Sequence, residues 1–329
     1  MDNIVDIRDL YINFNIYEGI LKVINNVNFR VGRGEKIGLI GEAGCGKTTT
    51  MLSLMRILPT PPGIIDNGEI FLNEKDVLKM NANELQQMRR NIVSMIFQDP
   101  TAALNPVFKI GDLIGDVVKF SQLSQGRKVS KAEIKDRTIN VLQEVSMPDP
   151  ERIMQNYPIQ LSGGMRQRIA IAMALVSEPK LLIADEPGTN LDVTIQDQVL
   201  RLLGDLVKEK NTSIILISHA LGAVKGLVDR VYTMYAGSMI EDSKTEDLFS
   251  DPLHPYTQAL FKAAPKLHGG GIPPGIGGRI PNYLDPPKGC RFHPRCPHAK
   301  PICSEKLPPM IEVGGKHNVA CFLYGGENL

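Results

Sequence analysis

The sequence predicts an α/β fold, with a mostly parallel β-sheet covered by helices on both faces and a smaller C-terminal appendage. The sheet is indicated by four continuous apolar runs of strand length, separated by helical patterns, at residues 36–40, 91–97, 180–184 and 213–217. The appendage is indicated by a change of composition at residue 265, after which glycine and proline are frequent. Such a stretch does not continue as helix or central strand, so we expect a linker there.

Length and composition exclude several classes of protein. The 329 residues suit about two domains at roughly 150 residues each, and 43% hydrophobic with 22% charged residues excludes a disordered chain. Lys and Arg number 37 against 36 Asp and Glu, so no basic excess favours nucleic-acid binding. The N-terminus lacks a signal-peptide pattern, and no apolar run reaches the roughly 18 residues of a membrane span. We expect the chain to reach a membrane only through partner proteins.

The middle of the chain is predicted to be helical. Apolar residues recur at helical spacing at Ile110, Leu113, Ile114, Val117 and Val118. The residues Ser130 to Glu133 have the capping-box pattern and precede a second amphipathic segment. Helices between two groups of strands predict a helical insertion over about residues 100–160, within a main body of residues 1–264. Residues 265–329 then form the linker and a Cys-rich C-terminal region.

A glycine-rich motif provides the first functional prediction. Residues 41–48 read GEAGCGKT and fit G-x-x-x-x-G-K-[ST], between an apolar strand and a helical segment. Such a P-loop surrounds phosphate oxygens with backbone N–H groups, and the N-terminus of the next helix adds its positive dipole. We expect Lys47 to reach the β- and γ-phosphates and Thr48 to bind Mg²⁺. The predicted nucleotide-binding residues here are Gly41, Glu42, Ala43, Gly44, Cys45, Gly46, Lys47, Thr48 and Thr49.

Two carboxylates follow the apolar run at residues 181–184. Asp185 and Glu186 therefore fall at the carboxyl edge of the predicted sheet, where nucleotides bind in doubly wound folds. Asp185 is predicted to orient Mg²⁺, and Glu186 to polarise the attacking water as a general base. An ordinary surface Asp-Glu pair is the alternative, and the P-loop favours the functional interpretation.

Further motifs resemble those of ATP-binding cassette (ABC) ATPases. Residues 161–168, LSGGMRQR, resemble the family's signature motif. Gln98 matches the Q-loop, Leu191-Asp192 the D-loop and His219 the switch histidine, all in family order. The resemblance implies a P-loop NTPase cassette with a RecA-like parallel core, an antiparallel β subdomain and a helical subdomain.

The resemblance also implies what these residues do. Two cassettes dimerise head to tail with ATP between them, so that a nucleotide contacts both chains. The residues implied for the partner's ATP are Ser162, Gly163, Gly164 and Asp192. Catalysis is assigned to Glu186, His219 and Lys47, while Gln98 senses Mg²⁺ together with Thr48 and Asp185.

Adenine in this family stacks on an aromatic side chain before the first core strand. Phe14 fits the spacing and Tyr17 is the alternative. The sequence departs from the family pattern at Ala220, where many relatives have Asp, and in residues 188–190 and Cys45. None of these departures removes a group that touches phosphate or metal.

Three longer stretches resemble the ATPase subunits of bacterial and archaeal dipeptide and oligopeptide importers: residues 97–106, 254–257 and 286–297. The resemblance implies a peripheral protein on the cytoplasmic face of the plasma (inner) membrane. Its partners would be a second ATPase subunit, identical or not, two integral-membrane permeases and, indirectly, an external peptide-binding protein, with no nucleic acid. A nickel importer, or a soluble ABC ATPase of translation or repair, is the alternative.

Four of the five cysteines lie in the last 40 residues: Cys290, Cys296, Cys303 and Cys321. Without an export signal this clustering favours a metal site over disulfides. Their irregular spacing suits a [4Fe–4S] cluster, which the family resemblance also implies. Zinc is an alternative, with His293, His298 and His317 as further candidate ligands, and disulfides or free thiols are another. We expect a structural role for the metal before a redox role.

Overall fold

A computed structural model describes residues 2–264 and 275–325 of the chain. These residues form twelve β-strands and twelve α-helices. The strands are β1 (Asn3–Ile16), β2 (Gly19–Gly32), β3 (Lys36–Ile40), β4 (Gly63–Leu72), β5 (Lys75–Asp76), β6 (Val93–Ile96), β7 (Leu181–Asp185), β8 (Ser213–Ile217), β9 (Arg230–Tyr235), β10 (Ser238–Lys244), β11 (Ile311–Val313) and β12 (His317–Val319). The helices are α1 (Lys47–Leu54), α2 (Ala82–Asn91), α3 (Pro100–Ala103), α4 (Ile110–Ser124), α5 (Lys131–Glu144), α6 (Pro150–Ile153), α7 (Gly163–Leu175), α8 (Val193–Glu209), α9 (Leu221–Leu227), α10 (Thr245–Ser250), α11 (Pro255–Ala263) and α12 (Pro301–Glu305).

The described residues form two compact units. The first contains residues 2–4, 32–36 and 79–217. The second contains residues 5–31 and 37–78 together with the described residues from 218 onward. The P-loop belongs to the second unit, and the Asp-Glu strand and the signature motif belong to the first.

The first unit is built on three parallel strands in the order β6-β7-β8. Every residue of β7 and β8 is buried, which explains why both strands are continuous apolar runs in the sequence. Helix α7 packs against β6 and against α4, α5 and α8. The predicted strand at residues 91–97 is shorter in the structure, because α2 continues through Asn91 and β6 begins at Val93.

Two predicted helices occupy the middle of the first unit. Helix α4 begins at Ile110 and buries Ile114 and Val118. Helix α5 has Ser130 as its N-cap, whose hydroxyl accepts a hydrogen bond from the Glu133 N–H at 3.2 Å. The Glu133 carboxylate instead accepts a hydrogen bond from the Arg127 guanidinium at 2.8 Å. The capping-box prediction is therefore wrong in its second half, because an arginine outside the helix binds the carboxylate.

The second unit contains two β-structures. Four strands form an antiparallel sheet in the order β2-β1-β4-β5. A second group runs β3-β9-β10-β12-β11, in which only the pair β3 and β9 is parallel. The C-terminal strands β11 and β12 extend this group at β10. The mostly parallel arrangement predicted from apolar runs thus applies to the strands that those runs form, and the antiparallel strands agree with the family resemblance.

The Cys-rich region packs on the rest of the second unit. Phe292 lies in one buried cluster with Tyr235, Ala236, Ile240 and Tyr256. Tyr283, Cys290 and Cys296 pack against the same cluster. The domain boundary at residue 264 stays a prediction, and residues 265–274 of the expected linker lie outside the described part of the chain. Among the described residues, no helix has the combined length and apolar character needed to cross a bilayer.

Candidate functional site

The P-loop connects β3 to α1, as the motif predicts. Gly41 and Gly46 both have positive φ angles, 151° and 107°. A Cβ atom at Gly41 would collide with the Met234 carbonyl, and one at Gly46 would lie 2.5 Å from Ile24 Cδ1. Both positions therefore require glycine for conformation and for space.

The lysine of the motif is held inside its own loop. Lys47 is 5% exposed, and its Nζ donates hydrogen bonds to the carbonyls of Gly41 at 2.8 Å and Glu42 at 3.0 Å. Thr48 follows in the first turn of α1 and is exposed. The loop therefore has an ammonium, a hydroxyl and the N-terminus of an eight-residue helix in succession, the set of groups that a P-loop uses to bind phosphates and Mg²⁺.

Cys45 is an unusual residue for this loop. It is 1% exposed, and burial raises the pKa of its thiol, so the group is neutral. Its Sγ lies 3.7 Å from Lys47 Nζ. A neutral thiol brings no negative charge to a loop that binds phosphate.

Residues far along the chain also contact the P-loop within the second unit. The N–H of Glu42 donates to the Tyr256 hydroxyl at 2.7 Å. The Tyr283 hydroxyl donates to the Gly44 carbonyl at 2.8 Å, and the Arg295 guanidinium binds the Glu42 carboxylate. Sequence reasoning missed all three residues. The signals were the stretches at residues 254–257 and 286–297, which contain Tyr256 and Arg295 and which the resemblance singles out without giving either residue a role.

Glu186 has two side-chain donors in the first unit. Gln98 Nε2 donates to Glu186 Oε2 at 3.0 Å, and the Thr189 hydroxyl donates to the same oxygen at 3.1 Å. Glu186 itself has a φ of 47°, which turns the chain sharply at the end of β7. The structure thus brings together two of the predicted site residues, Gln98 and Glu186, and adds Thr189, which sequence reasoning missed.

Asp185 is the last residue of β7 and is 4% exposed. Its carboxylate, the Gln98 amide and the Thr48 hydroxyl offer oxygen atoms, which are the ligands that Mg²⁺ takes. The donor chemistry of these three predicted residues therefore fits magnesium.

The signature motif lies at the start of α7. Ser162 is the N-cap, and its hydroxyl accepts a hydrogen bond from the Met165 N–H at 3.3 Å. A Cβ atom at Gly164 would lie 2.8 Å from Ile195 Cγ2, so this glycine lets α7 approach α8 closely. Asp192 is likewise the N-cap of α8, accepting from the Ile195 N–H at 3.0 Å. Both motifs thus have a local structural role, and their contact with a second chain stays a prediction.

The remaining predicted residues lie in the second unit. His219 follows β8 and is exposed, as is expected for a group that contacts substrate. Phe14 lies near the end of β1, opposite Gly63, and is half-buried. Tyr17 lies in the turn after β1 and is fully exposed. Both aromatic residues stay candidates for the adenine platform.

The four C-terminal cysteines line one small cavity, together with Phe292, Phe322 and the buried His254. None of them forms a disulfide. In the described part of the chain, no three His, Cys, Asp or Glu side chains are close enough to hold a metal ion. His293 and His298 also line this cavity, whereas His317 lies in β12 and forms a hydrogen bond with the Glu241 carboxylate at 2.7 Å.

Backbone N–H groups act on the clustered thiols. Those of Phe292, His298 and Leu323 lower the pKa of Cys290, Cys296 and Cys321, although burial raises each of these pKa values overall. The Lys300 N–H donates to Cys303 Sγ at 3.4 Å. Burial, together with the other three thiols, raises the pKa of Cys290 to about 11. Thiolates at this cavity would therefore need a cation, which is the chemistry of a metal-binding donor set.

Two family models match the chain. The model described as ABC transporter matches residues 24–189. The model described as oligopeptide/dipeptide transporter, C-terminal region, matches residues 240–303. The two matches cover the P-loop, the signature motif and three of the four clustered cysteines.

Curated relatives match over nearly the full chain. The oligopeptide transport ATP-binding protein OppD of Bacillus subtilis is 42% identical, covering 97% of this chain and 88% of its own. OppD of Escherichia coli is 42% identical, covering 98% and 93%. The dipeptide transport ATP-binding protein DppD of Bacillus subtilis is 40% identical, covering 98% and 95%.

Solved structures share the fold. A dimeric post-hydrolysis state of the ATP-binding cassette MJ0796, bound to ADP and Pi, superposes with a TM-score of 0.65 at 24% identity. It covers 73% of this chain and 98% of its own. CbiO1 from Clostridium perfringens, part of an ABC transporter complex, gives a TM-score of 0.63 at 26% identity, covering 76% and 92%.

The first prediction concerns Ala220, the N-cap of α9, which provides no side-chain cap. Ala220→Asp should raise the free energy of unfolding by about 0.5–1 kcal/mol, because its carboxylate accepts an N–H of the first turn. Chemical denaturation measures the change. Ala220→Asn is the control for charge and should give a similar gain. Equal stability of the Asp and Asn variants and the unchanged chain would contradict a capping defect.

Proposed function

The chain belongs to the ABC transporter family, among the ATP-binding subunits of oligopeptide and dipeptide importers, and we propose that its ATPase activity powers peptide import through partner permeases. It is an ATP hydrolase by that membership. The observation that carries the proposal is the presence in one chain of the ABC transporter match and the oligopeptide/dipeptide C-terminal match. A soluble ABC ATPase of translation or repair does not account for the second match.

In the proposed reaction the P-loop holds the phosphates of ATP. Lys47 Nζ exchanges its loop carbonyls for β- and γ-phosphate oxygens, and the N–H groups of residues 44–48 donate to the same phosphates. Thr48, Gln98 and Asp185 would hold magnesium, which would supply positive charge to offset the charge that develops on the phosphates. Phe14 or Tyr17 stacks on the adenine.

Glu186 is the proposed general base. Gln98 and Thr189 both hydrogen-bond to its Oε2, which fixes the orientation of the carboxylate toward the attacking water. His219 contacts the γ-phosphate and holds that water in place. The short turn that contains Glu186 and Thr189 thus sets the position of the base.

We assign Ser162, Gly163, Gly164 and Asp192 to the ATP site of a second ATPase subunit. The Ser162 cap and the close packing of Gly164 on α8 support this assignment. They restrain the N-terminus of α7 next to α8, so that both motifs are held in one place. The complex would contain two such subunits, identical or not, and two permeases, at the cytoplasmic face of the plasma membrane. ATP binding closes the pair of cassettes, and hydrolysis reopens it.

The cysteine cavity is the proposed site of a [4Fe–4S] cluster. Four thiols around one cavity support a thiolate-bound group, and the Lys300 N–H, which donates to Cys303 Sγ, would stabilise charge on that sulfur atom. In a cluster each thiolate binds a different iron, so the sulfurs need not converge on a single ion. Zinc with these cysteines and a nearby histidine is the second candidate. The group would supply folding energy to a region with a small apolar core.

The function is tested by isolating the complex from its native membranes through this chain. We expect hydrophobic permeases to co-purify and peptides to stimulate ATP hydrolysis. Glu186→Gln should reduce kcat at least about 100-fold while ATP binding is retained, because only the general base is removed.

Glu178→Gln is the matched control for that variant, since Glu178 is an exposed glutamate of the same unit that also has a positive φ, 53°. Its kcat should be unchanged. Co-purification with ribosomes or DNA ends in place of permeases would contradict the import function. Stimulation of ATP hydrolysis by nickel and not by peptides would identify nickel as the cargo.

A second experiment addresses Thr189. Thr189→Val keeps the shape of the side chain but removes the hydroxyl that binds Glu186, so kcat should fall about tenfold with the ATP affinity unchanged. Thr189→Ser keeps a hydroxyl and should retain most of the activity. Steady-state ATPase kinetics measure both, and equal kcat values for the Val and Ser variants would refute the orienting role.

A third experiment addresses the cysteine cavity in protein purified without oxygen. We expect about four irons and four acid-labile sulfides per chain. Cys303→Ser should lose them and lower the free energy of unfolding by on the order of 3 kcal/mol. Ser304→Ala, at the adjacent position, should keep the iron and sulfide content and the free energy of unfolding of the unchanged chain. Zinc alone would identify the second candidate, and unchanged stability and transport after metal loss would exclude a structural role.

A further inference from the structure

Arg295 connects the Cys-rich region to the P-loop. Its Nη1 and Nη2 donate to the two carboxylate oxygens of Glu42 at 2.8 and 3.2 Å. The Arg295 side chain is only 4% exposed. Its remaining hydrogen bonds are to the Tyr235 hydroxyl and to the carbonyls of Ile276 and Gly277. The guanidinium is therefore held on every side and cannot move away from Glu42 without losing several bonds.

Glu42 is the second residue of the P-loop, and its backbone takes part in the loop's own hydrogen bonds. Its N–H donates to the Tyr256 hydroxyl at 2.7 Å, and its carbonyl accepts from Lys47 Nζ at 3.0 Å. A carboxylate here lies next to the groups that bind the phosphates. Without a cation opposite it, this negative charge would repel the negatively charged triphosphate.

Tyr283 provides a second connection to the same loop. Its hydroxyl donates to the Gly44 carbonyl at 2.8 Å. Its own carbonyl accepts a hydrogen bond from the Lys22 N–H at 2.8 Å, which holds it against β2. The hydrogen bond to the Gly44 carbonyl therefore restrains the orientation of the Gly44 peptide within the P-loop.

Both residues lie outside every motif that the sequence assigns to nucleotide binding. Arg295 immediately precedes Cys296, one of the cysteines that line the cavity, and Tyr283 lies seven residues before Cys290. We propose that Arg295 and Tyr283 are positioning residues for ATP, acting through Glu42 and Gly44 of the P-loop. This inference rests on the proposed binding of ATP at the P-loop.

The proposal differs from a purely structural role in its charge dependence. A structural contact stabilises the fold whatever the nucleotide. In the proposal, loss of Arg295 leaves a partly buried, uncompensated carboxylate beside the phosphates, and removal of that carboxylate should restore binding. A second change at Glu42 therefore distinguishes the two roles.

The test is equilibrium binding of a fluorescent ATP analogue, methylanthraniloyl-ATP, to the full-length chain, together with steady-state ATPase kinetics. Arg295→Met should weaken binding about tenfold, raising KM with little change in kcat. In the background of Glu42→Gln, Arg295→Met should have no further effect, so that the double variant binds as Glu42→Gln does. Tyr283→Phe should weaken binding about threefold.

The chain offers matched controls. Tyr324 also donates its hydroxyl to a backbone carbonyl, that of Leu253 at 2.8 Å, in the same C-terminal region. Tyr324→Phe should leave the affinity for ATP unchanged, and so should Arg279→Met at an exposed position. Thermal unfolding and metal content establish that each variant is folded.

The outcomes separate this inference from the proposed function. If the unchanged chain does not bind the analogue, the proposed function fails. If the unchanged chain binds the analogue, and Arg295→Met and Tyr283→Phe bind it as tightly as the unchanged chain does, only the inference fails. If Arg295→Met does not fold, the affinities of Tyr283→Phe and Tyr324→Phe for the analogue are compared. Weaker binding by Tyr283→Phe supports the inference, and equal binding overturns it. A double variant that binds as weakly as Arg295→Met alone, with Glu42→Gln binding normally, would overturn the role of charge.

Discussion

The path of the phosphate-binding loop is constrained by backbone contacts with β9 and with the turn that follows it. The Gly237 N–H donates to the Cys45 carbonyl at 2.8 Å. The Met234 carbonyl lies so close to Gly41 that no Cβ atom fits there, and the Val23 carbonyl lies even closer to the position of a Cβ atom at Gly237. Backbone approaches of this kind leave no tolerance for a side chain, so the glycines serve packing as much as phosphate binding. A loop held by backbone contacts on one side needs only a few side-chain contacts on the other to be fixed.

Local patterns predicted the elements that local physics determines. The runs at residues 180–184 and 213–217 became buried parallel strands because their apolar residues leave no polar face for solvent. Ser130 became an N-cap because a hydroxyl at that position accepts a hydrogen bond from a helix N–H that has no partner within the helix. The P-loop likewise follows from its spacing alone.

Long-range contacts were not predictable in this way. Arg295 and Glu42 are 253 residues apart, and no periodicity connects a surface-type arginine to a glutamate in a glycine-rich loop. Glu133 was expected to complete a capping box, but Arg127 supplies a stronger, charged donor. The contact of Thr189 with Glu186 was not predicted, because a threonine in a turn forms many kinds of hydrogen bond and the sequence does not show which one. Each case is settled by which polar groups the fold brings together, and that information lies outside any short window of sequence.

The Cys-rich region shows how a segment with few apolar residues can order itself. It contributes Phe292 to a cluster whose other buried members come from residues 235–256. Most of the buried residues against which the region packs therefore lie outside it. In our proposal, the contacts of Arg295 and Tyr283 with the P-loop link the ordering of the C-terminal region to the binding of ATP. If an ordered C-terminal region favours the nucleotide-binding form of the loop, bound ATP must stabilise that region by the same free energy. Metal binding at the cysteines and ATP binding at the loop would in this way reinforce each other, although neither group needs to touch the other.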